Sequence, residues 1–87
     1  MSSVNIHFEN GVRTQFHQPY TLENLADMTA AVLEISFKEV TRSYTANYKE
    51  NRREVPIKSS SELSGYVLRT LGSNCDIYIV KTQHGSP

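Results

Sequence analysis

The residues of this chain best suited to chemistry are three histidines, His7, His17 and His84, and one cysteine, Cys75. A structural zinc site usually takes four Cys or His ligands in short paired spacings, and covalent catalysis needs a nucleophile beside a base. These four residues are far apart along the chain. The sequence therefore predicts no catalytic residue and no metal site, and we expect that the protein is not an enzyme.

Glycines give a second test for chemistry, because phosphate-binding loops place several of them close together. The four glycines of this chain are isolated from one another. We therefore expect no bound cofactor and no small-molecule substrate. The single cysteine also excludes an internal disulfide, and no apolar run approaches the roughly 20 residues that span a bilayer. These features predict a cytoplasmic or nuclear protein.

Charge is the feature that points to a partner. Nine basic and nine acidic residues cancel, so no overall field attracts nucleic acid or an anionic membrane. The charges are unevenly placed: residues 1–35 carry four acids and one base, whereas residues 36–58 carry six bases and three acids. The two segments therefore have net charges of −3 and +3. Complementary potentials set orientation and speed encounter between proteins, so this split favours a head-to-tail contact with another protein domain.

The N-terminal residues predict a β-hairpin. Apolar and polar residues alternate over 4–9, and Asn10-Gly11 is a typical turn sequence. A three-residue loop over 9–11, with Gly11 left-handed, keeps the apolar residues of both strands on one face. The same register places His7 opposite Arg13 on the outer face.

After this hairpin, the sequence pattern predicts two helices and three further strands. Thr21 is the expected N-cap of a helix with an apolar stripe, and a second alternating run predicts a third strand over 40–48. The polar run 49–53 predicts a turn before a short edge strand that contains Pro56. Ser59 and Glu62 have the spacing of a capping box for the second helix, which we expect Gly72 to end. The last strand, 75–81, is apolar enough to be central.

The order ββαββαβ predicts an α+β fold, a ubiquitin-like β-grasp roll whose mixed sheet of four or five strands carries two helices on one face. We expect one domain over residues 1–82 and the start of a linker at 83–87. The predicted core consists of Val4, Ile6, Phe8, Leu25, Val32, Leu63, Val67, Leu71, Ile77 and Ile79.

Two stretches of the sequence, together with the order of elements along the whole chain, resemble a Phox-and-Bem (PB-one) domain. They are Val4-Asn5-Ile6-His7-Phe8-Glu9-Asn10-Gly11 and the segment from Asn47-Tyr48-Lys49-Glu50 through Val55-Pro56-Ile57 to Ser60-Ser61-Glu62-Leu63. The resemblance implies a scaffold or signalling module that pairs front to back, in which a lysine on the first strand meets an acidic loop of the partner. His7 stands at the position of that lysine, and Arg52 and Arg53 interrupt the acids of the loop.

These observations lead to one interface hypothesis, in which a basic hairpin docks on an acidic helix of a second copy or of another domain. The candidate partner-binding residues are His7, Arg13, Glu23, Asp27, Lys49, Glu50, Arg52 and Arg53. The same charges also suit a solvated turn and a solvated helix face. Two other functions stay open: a Ras-association type domain that binds a small GTPase through an edge strand, and, less favoured, binding of RNA or phospholipid.

Overall fold

The computed structural model describes residues 4–70 and 74–82, and a five-stranded mixed sheet organises them. The elements in chain order are β1 (Val4–Phe8), β2 (Arg13–Phe16), α1 (Leu22–Leu33), α2 (Phe37–Ser43), β3 (Tyr44–Glu50), β4 (Arg53–Pro56), α3 (Ser60–Arg69) and β5 (Cys75–Lys81). The strand order is β2-β1-β5-β3-β4. The central strand β5 runs parallel to β1 and antiparallel to β3. This arrangement confirms the predicted fold class, with an additional short helix.

The first hairpin has the predicted register. His7 lies opposite Arg13, and the backbone N–H of Phe8 donates to the carbonyl of Val12 at 2.9 Å. Gly11 has a φ of +89°, a left-handed conformation that costs a residue with a Cβ more than it costs glycine. Turn chemistry thus fixes which side chains of β1 and β2 share a face.

Residues 37–43 correct the prediction of a strand that begins at residue 40. They form α2, whose N-cap Ser36 accepts a hydrogen bond from the backbone N–H of Glu39 at 3.1 Å. The Glu39 carboxylate also accepts hydrogen bonds from Ser43 and Arg42, and these bonds lower its pKa. Because this cap and carboxylate stabilise a helical turn, β3 begins only at Tyr44. The described residues therefore contain three helices rather than two.

The other predicted helix caps are confirmed. Thr21 accepts a hydrogen bond from the N–H of Asn24, and Ser59 accepts one from the N–H of Glu62. The carboxylate of Glu62 accepts a hydrogen bond from the N–H of Lys58 at 2.8 Å, one residue before the cap. The predicted end of this helix at Gly72 lies outside the described residues.

The core lies between the sheet and the helices. It contains the predicted residues Val4, Ile6, Phe8, Leu25, Leu63, Val67, Ile77 and Ile79, together with Phe16, Ala46, Ile57, Tyr66 and Cys75. Val32 is half-buried against this cluster, and Leu71 lies outside the described residues. Burial raises the pKa of the Cys75 thiol, as expected for a packed side chain. None of the described helices is long and apolar enough to cross a membrane.

Candidate functional site

The face of the sheet turned away from the core carries a row of polar and aromatic side chains. Strand register places Arg13 of β2 beside His7 of β1, and His7 beside Tyr78 of β5. Asn47 of β3 lies opposite Tyr78 on its other side. Alternation along each strand places these side chains on the outer face, because their neighbours Ile6, Ile77 and Ala46 point into the core. Asn47 is nevertheless buried.

His7 is held on this face by two contacts within its own chain. Its Nε2 lies 2.8 Å from Oδ1 of Asp76, and its ring stacks on Tyr78 with the ring centroids 4.7 Å apart and the planes inclined by 17°. Asp76 and Tyr78 come from the central strand, two residues apart, so one strand supplies both contacts. The imidazole is thus fixed in position while its side chain stays 26% exposed.

Lys49 of β3 completes the row from the other direction. Its Nζ lies 4.6 Å from the centroid of the Tyr78 ring, a cation–π geometry. Tyr78 therefore contacts both His7 and Lys49, and Arg13 extends the row to the edge strand β2. We refer to Arg13, His7, Lys49 and Tyr78 as the basic sheet face.

Arg52 and Arg53 extend the positive charge to the tip of the β3–β4 hairpin. Glu50 pairs with Arg53 as the last ladder residues, and Asn51 and Arg52 make the two-residue turn with φ values of 52° and 68°. All four side chains are exposed. The ion pairs among the described residues are His7–Asp76 and Arg42–Glu39, so neither arginine of the tip is neutralised there.

The acids of α1 lie on the other side of the sheet. Glu23 and Asp27 are exposed on the helix that packs on the core through Leu25. They occur in neither of the ion pairs of the described residues. We refer to Glu23 and Asp27 as the acidic helix face.

Comparison with known proteins identifies the fold. Among solved structures, the chain is similar to a computationally designed protein based on the template of human erythrocytic ubiquitin, determined by NMR in solution, over 100% of this chain and 99% of that one. The TM-score is 0.50 and the sequence identity is 16%. The chain has a ubiquitin-like fold. No protein-family model matches the sequence, and no curated protein matches it.

Within this ubiquitin-like fold, the eight predicted site residues separate into three groups. His7, Arg13 and Lys49 come together on the sheet, with Arg52, Arg53 and Glu50 at the hairpin tip, and two acids lie on α1. Sequence reasoning left out Asp76 and Tyr78 as site residues. Alternation placed both of them on the outer face, but their contact with His7 depends on the parallel β1–β5 register, which the pattern of one strand does not specify.

The ubiquitin-like domain brings together no group suited to hold a metal ion: over residues 4–70 and 74–82, no three His, Cys, Asp or Glu side chains are clustered. His7 has one acidic neighbour, Asp76. Glu54 of β4 lies opposite Lys49 on the same face.

Proposed function

We propose that this domain is a protein-interaction module that pairs front to back, with the basic sheet face as its front and the acidic helix face as its back. A ubiquitin-like fold is commonly a protein-interaction module. The observation that carries the proposal is the position of Tyr78, which joins His7 and Lys49 into one surface on the side of the sheet opposite α1.

Unneutralised charge supports this pairing. Arg13 and Lys49 on the front, Arg52 at the hairpin tip, and Glu23 and Asp27 on the back make no ion pair with any described residue. An exposed ion pair adds little affinity by itself, but several such charges set orientation and raise the rate of encounter. A partner that supplies the opposite charges therefore has no ion pair to displace from these residues within 4–70 and 74–82.

The placement of the two surfaces supports a head-to-tail rather than a two-fold contact. Because the front and the back lie on opposite sides of the sheet, one copy does not satisfy its own charges. A second copy supplies the complement of each surface, and such a contact repeats without closing. The partner we propose is therefore another copy of this domain, or a domain with the same charge arrangement, in a scaffold or signalling assembly.

A second candidate function rests on the sheet edge. β2 is an edge strand of the sheet that the described residues form, so an extended strand of a small GTPase has a place to pair, as in Ras-association type domains. Arg13 is the only basic residue of this strand. Since such an interface needs several bases against an acidic GTPase surface, front-to-back pairing is the better supported function.

Sedimentation of the 87-residue chain over a range of concentrations, at low and high salt, tests the proposal. We expect concentration-dependent association that weakens as salt rises, because exposed charges are screened over about 8–10 Å at 0.10–0.15 M salt. Reversal of the hairpin charges by Arg52→Glu with Arg53→Glu should also weaken association, without loss of folding.

A matched control makes the same change in net charge away from both surfaces. Lys58→Glu with Lys81→Glu reverses two exposed bases that lie outside the basic sheet face and the hairpin tip. This variant should associate like the parent. A parent chain that stays monomeric at every concentration and salt would count against front-to-back pairing. Equal association of the control and hairpin variants would also count against it.

A further inference from the structure

The outer edge of β4 carries backbone groups that point away from β3. β4 is a terminal strand of the sheet that the described residues form. The N–H of Ile57, directly after β4, donates to the carbonyl of Ala46 at 2.8 Å, so the backbone groups of Ile57 point toward β3. This direction alternates along an antiparallel ladder, so those of Glu54 and Pro56 point outward. The edge thus offers one N–H, from Glu54, and two carbonyls to a further strand.

A groove of about 430 Å³ runs beside this edge, between β4 and α3. Its lining includes, on the sheet, Tyr48, Val55 and Pro56 and, on α3, Glu62, Gly65 and Arg69. A Cβ added at Gly65 would have no neighbour within 4 Å outside its own helix, so the groove is open at this point. An apolar cavity of about 150 Å³ holds one benzene ring, so the groove has room for more than one side chain.

α3 runs back along β4. Glu62, near the start of α3, accepts a hydrogen bond from the N–H of Lys58, just after β4. Arg69, at the end of α3, contacts Tyr48, whose ladder partner Val55 lies within β4. A further strand that adds antiparallel to β4 therefore runs in the same direction as α3.

The Arg69 end of the groove suits an acidic side chain. The guanidinium of Arg69 lies 5.4 Å from the ring centroid of Tyr48 and 5.7 Å from that of Tyr66. A hydrogen bond with Tyr48 and, more weakly, the charge of Glu50 raise the pKa of Arg69, but no ion pair of the described residues includes it. Two rings thus hold a guanidinium in place, and its paired N–H donors match a carboxylate.

The middle of the groove suits an apolar side chain. Val55 faces it from the sheet. Leu68, which is 65% exposed, lies one helical turn from Gly65 and borders the groove on its solvent side. An apolar residue that enters beside Gly65 therefore contacts Val55 and covers part of Leu68.

These two positions have the spacing of an extended chain. Gly65 and Arg69 are about 6 Å apart along the helix axis, and two residues of a strand span about 6.8 Å. Side chains two apart in a strand share a face, so both reach the groove. The groove thus suits an apolar residue, then any residue, and then an acid.

We propose that this groove binds an extended segment of a partner protein, which adds to β4 as an antiparallel strand. The segment places an apolar side chain beside Gly65 and, two residues later, a carboxylate on Arg69. In such an addition, main-chain hydrogen bonds give affinity and alternate side chains give specificity. The lining residues belong to neither the basic sheet face nor the acidic helix face, so this site goes beyond front-to-back pairing.

The blocked peptide Thr-Val-Thr-Leu-Thr-Asp-Thr is the probe, with its Leu and Asp at the two positions. Titrated into the isotopically labelled full chain, it should shift the amide resonances of Gly65 and Arg69 and slow hydrogen exchange of the Glu54 amide at least tenfold. The Gln15 amide is the control, because the register of the first hairpin turns it outward at the other sheet edge. Protection of Gln15 instead of Glu54, or no shift at millimolar peptide, would overturn the proposal.

Filling the groove gives a second test. Gly65→Leu should raise the dissociation constant of the peptide at least tenfold without lowering the thermal midpoint, because glycine is a poor helix former. Ala31→Leu, at an exposed position of α1, is the matched control and should bind like the parent. A folded Gly65→Leu variant that binds the peptide like the parent would overturn the proposed site.

A double-mutant cycle tests the contact with the carboxylate. Arg69→Gln should weaken binding at least fivefold, and replacement of the peptide Asp by Asn should do the same to the parent but have less than a twofold effect on Arg69→Gln. Equal losses in both proteins would remove the carboxylate from Arg69.

The fate of this inference is separate from that of the proposed function, which self-association tests. If the resonances of Gly65 and Arg69 shift when the chain alone is concentrated, a second copy occupies the groove and the proposed partner segment is overturned.

Discussion

The imidazole of His7 stacks on the phenol ring of Tyr78 with the ring centroids 4.7 Å apart, and the ammonium of Lys49 lies over the same phenol ring at 4.6 Å. One aromatic side chain on the central strand thus organises bases from the two strands that flank it. Asp76, two residues earlier, fixes the imidazole through a 2.8 Å contact. The front of the domain is therefore an ordered surface rather than a set of independent solvated charges.

The effect of a Tyr78 substitution on association should depend on whether an aromatic ring remains at this position. Tyr78→Phe retains an aromatic face for both His7 and Lys49, whereas Tyr78→Ala removes it. Cation–π contacts at exposed sites are worth about 0.5–1 kcal/mol. We expect several-fold weaker self-association for Tyr78→Ala and near-parent association for Tyr78→Phe, measured by sedimentation. If both variants behave alike, the ring does not organise the front.

Substitution of Arg52 by glycine should stabilise the fold while it removes a charge from the hairpin tip. Arg52 adopts a φ of 68° at the hairpin tip, in the left-handed region that costs a residue with a Cβ about 1–2 kcal/mol relative to glycine. Arg52→Gly should therefore raise the free energy of unfolding by about 1 kcal/mol in urea titrations while it weakens association. Asn51→Gly is the matched control, since asparagine tolerates this conformation better, and its gain should be smaller. A loss of stability in Arg52→Gly would contradict this account of the turn.

Ile77 should be a major determinant of stability. Its side chain is fully buried at the centre of the sheet. Ile77→Ala should lower the free energy of unfolding by about 2–5 kcal/mol, because it removes apolar contacts and leaves a cavity. Leu68→Ala, on the exposed face of α3, should change it by less than about 0.5 kcal/mol. Equal denaturation midpoints for the two variants would contradict the assigned burial.

Alkaline pH should destabilise the fold through Tyr66. Burial raises the pKa of this phenol above its ordinary value. Because the folded state holds the proton more tightly than the unfolded state, the contribution is fully present below about pH 10 and is lost as pH rises through the folded pKa. Urea titrations should show that Tyr66→Phe loses less stability than the parent above pH 10, while the offset between the two stays constant between pH 7 and 9. Parallel profiles over the whole range would contradict this role for Tyr66.

Local turn and cap chemistry made much of the fold predictable. Gly11 fixed the first hairpin, and Ser59 with Glu62 fixed the start of α3. The same spacing occurs at Ser36 and Glu39 and was missed, since the alternation through residues 40–48 continued across α2 without a break. The sequence contained both a helix-capping signal and a strand-like alternation. The hydrogen bonds of the Ser36 cap and of the Glu39 carboxylate favoured the helix.

The site was less predictable than the fold because its contacts are non-local. His7 and Asp76 are 69 residues apart and meet only through the parallel pairing of β1 with β5. Alternation assigns a face to each side chain, but it gives no register between distant strands. The apolar cleft lined by Ala26 of α1, Val40 of α2 and Ala46 of β3 likewise depends on α2, an element that the pattern did not predict.

The central claim, front-to-back pairing, is tested most directly by mixing two variants that are each defective on one side. Arg13→Glu with Lys49→Glu reverses the front, and Glu23→Lys with Asp27→Lys reverses the back. Each variant alone should sediment as a monomer, because every front-to-back contact then places like charges together. Mixed in equal amounts, they should associate in 1:1 proportion, through one interface that keeps its parent residues on both sides and one in which the charges of both sides are reversed. A mixture that sediments as monomers under conditions where the parent chain associates would contradict front-to-back pairing.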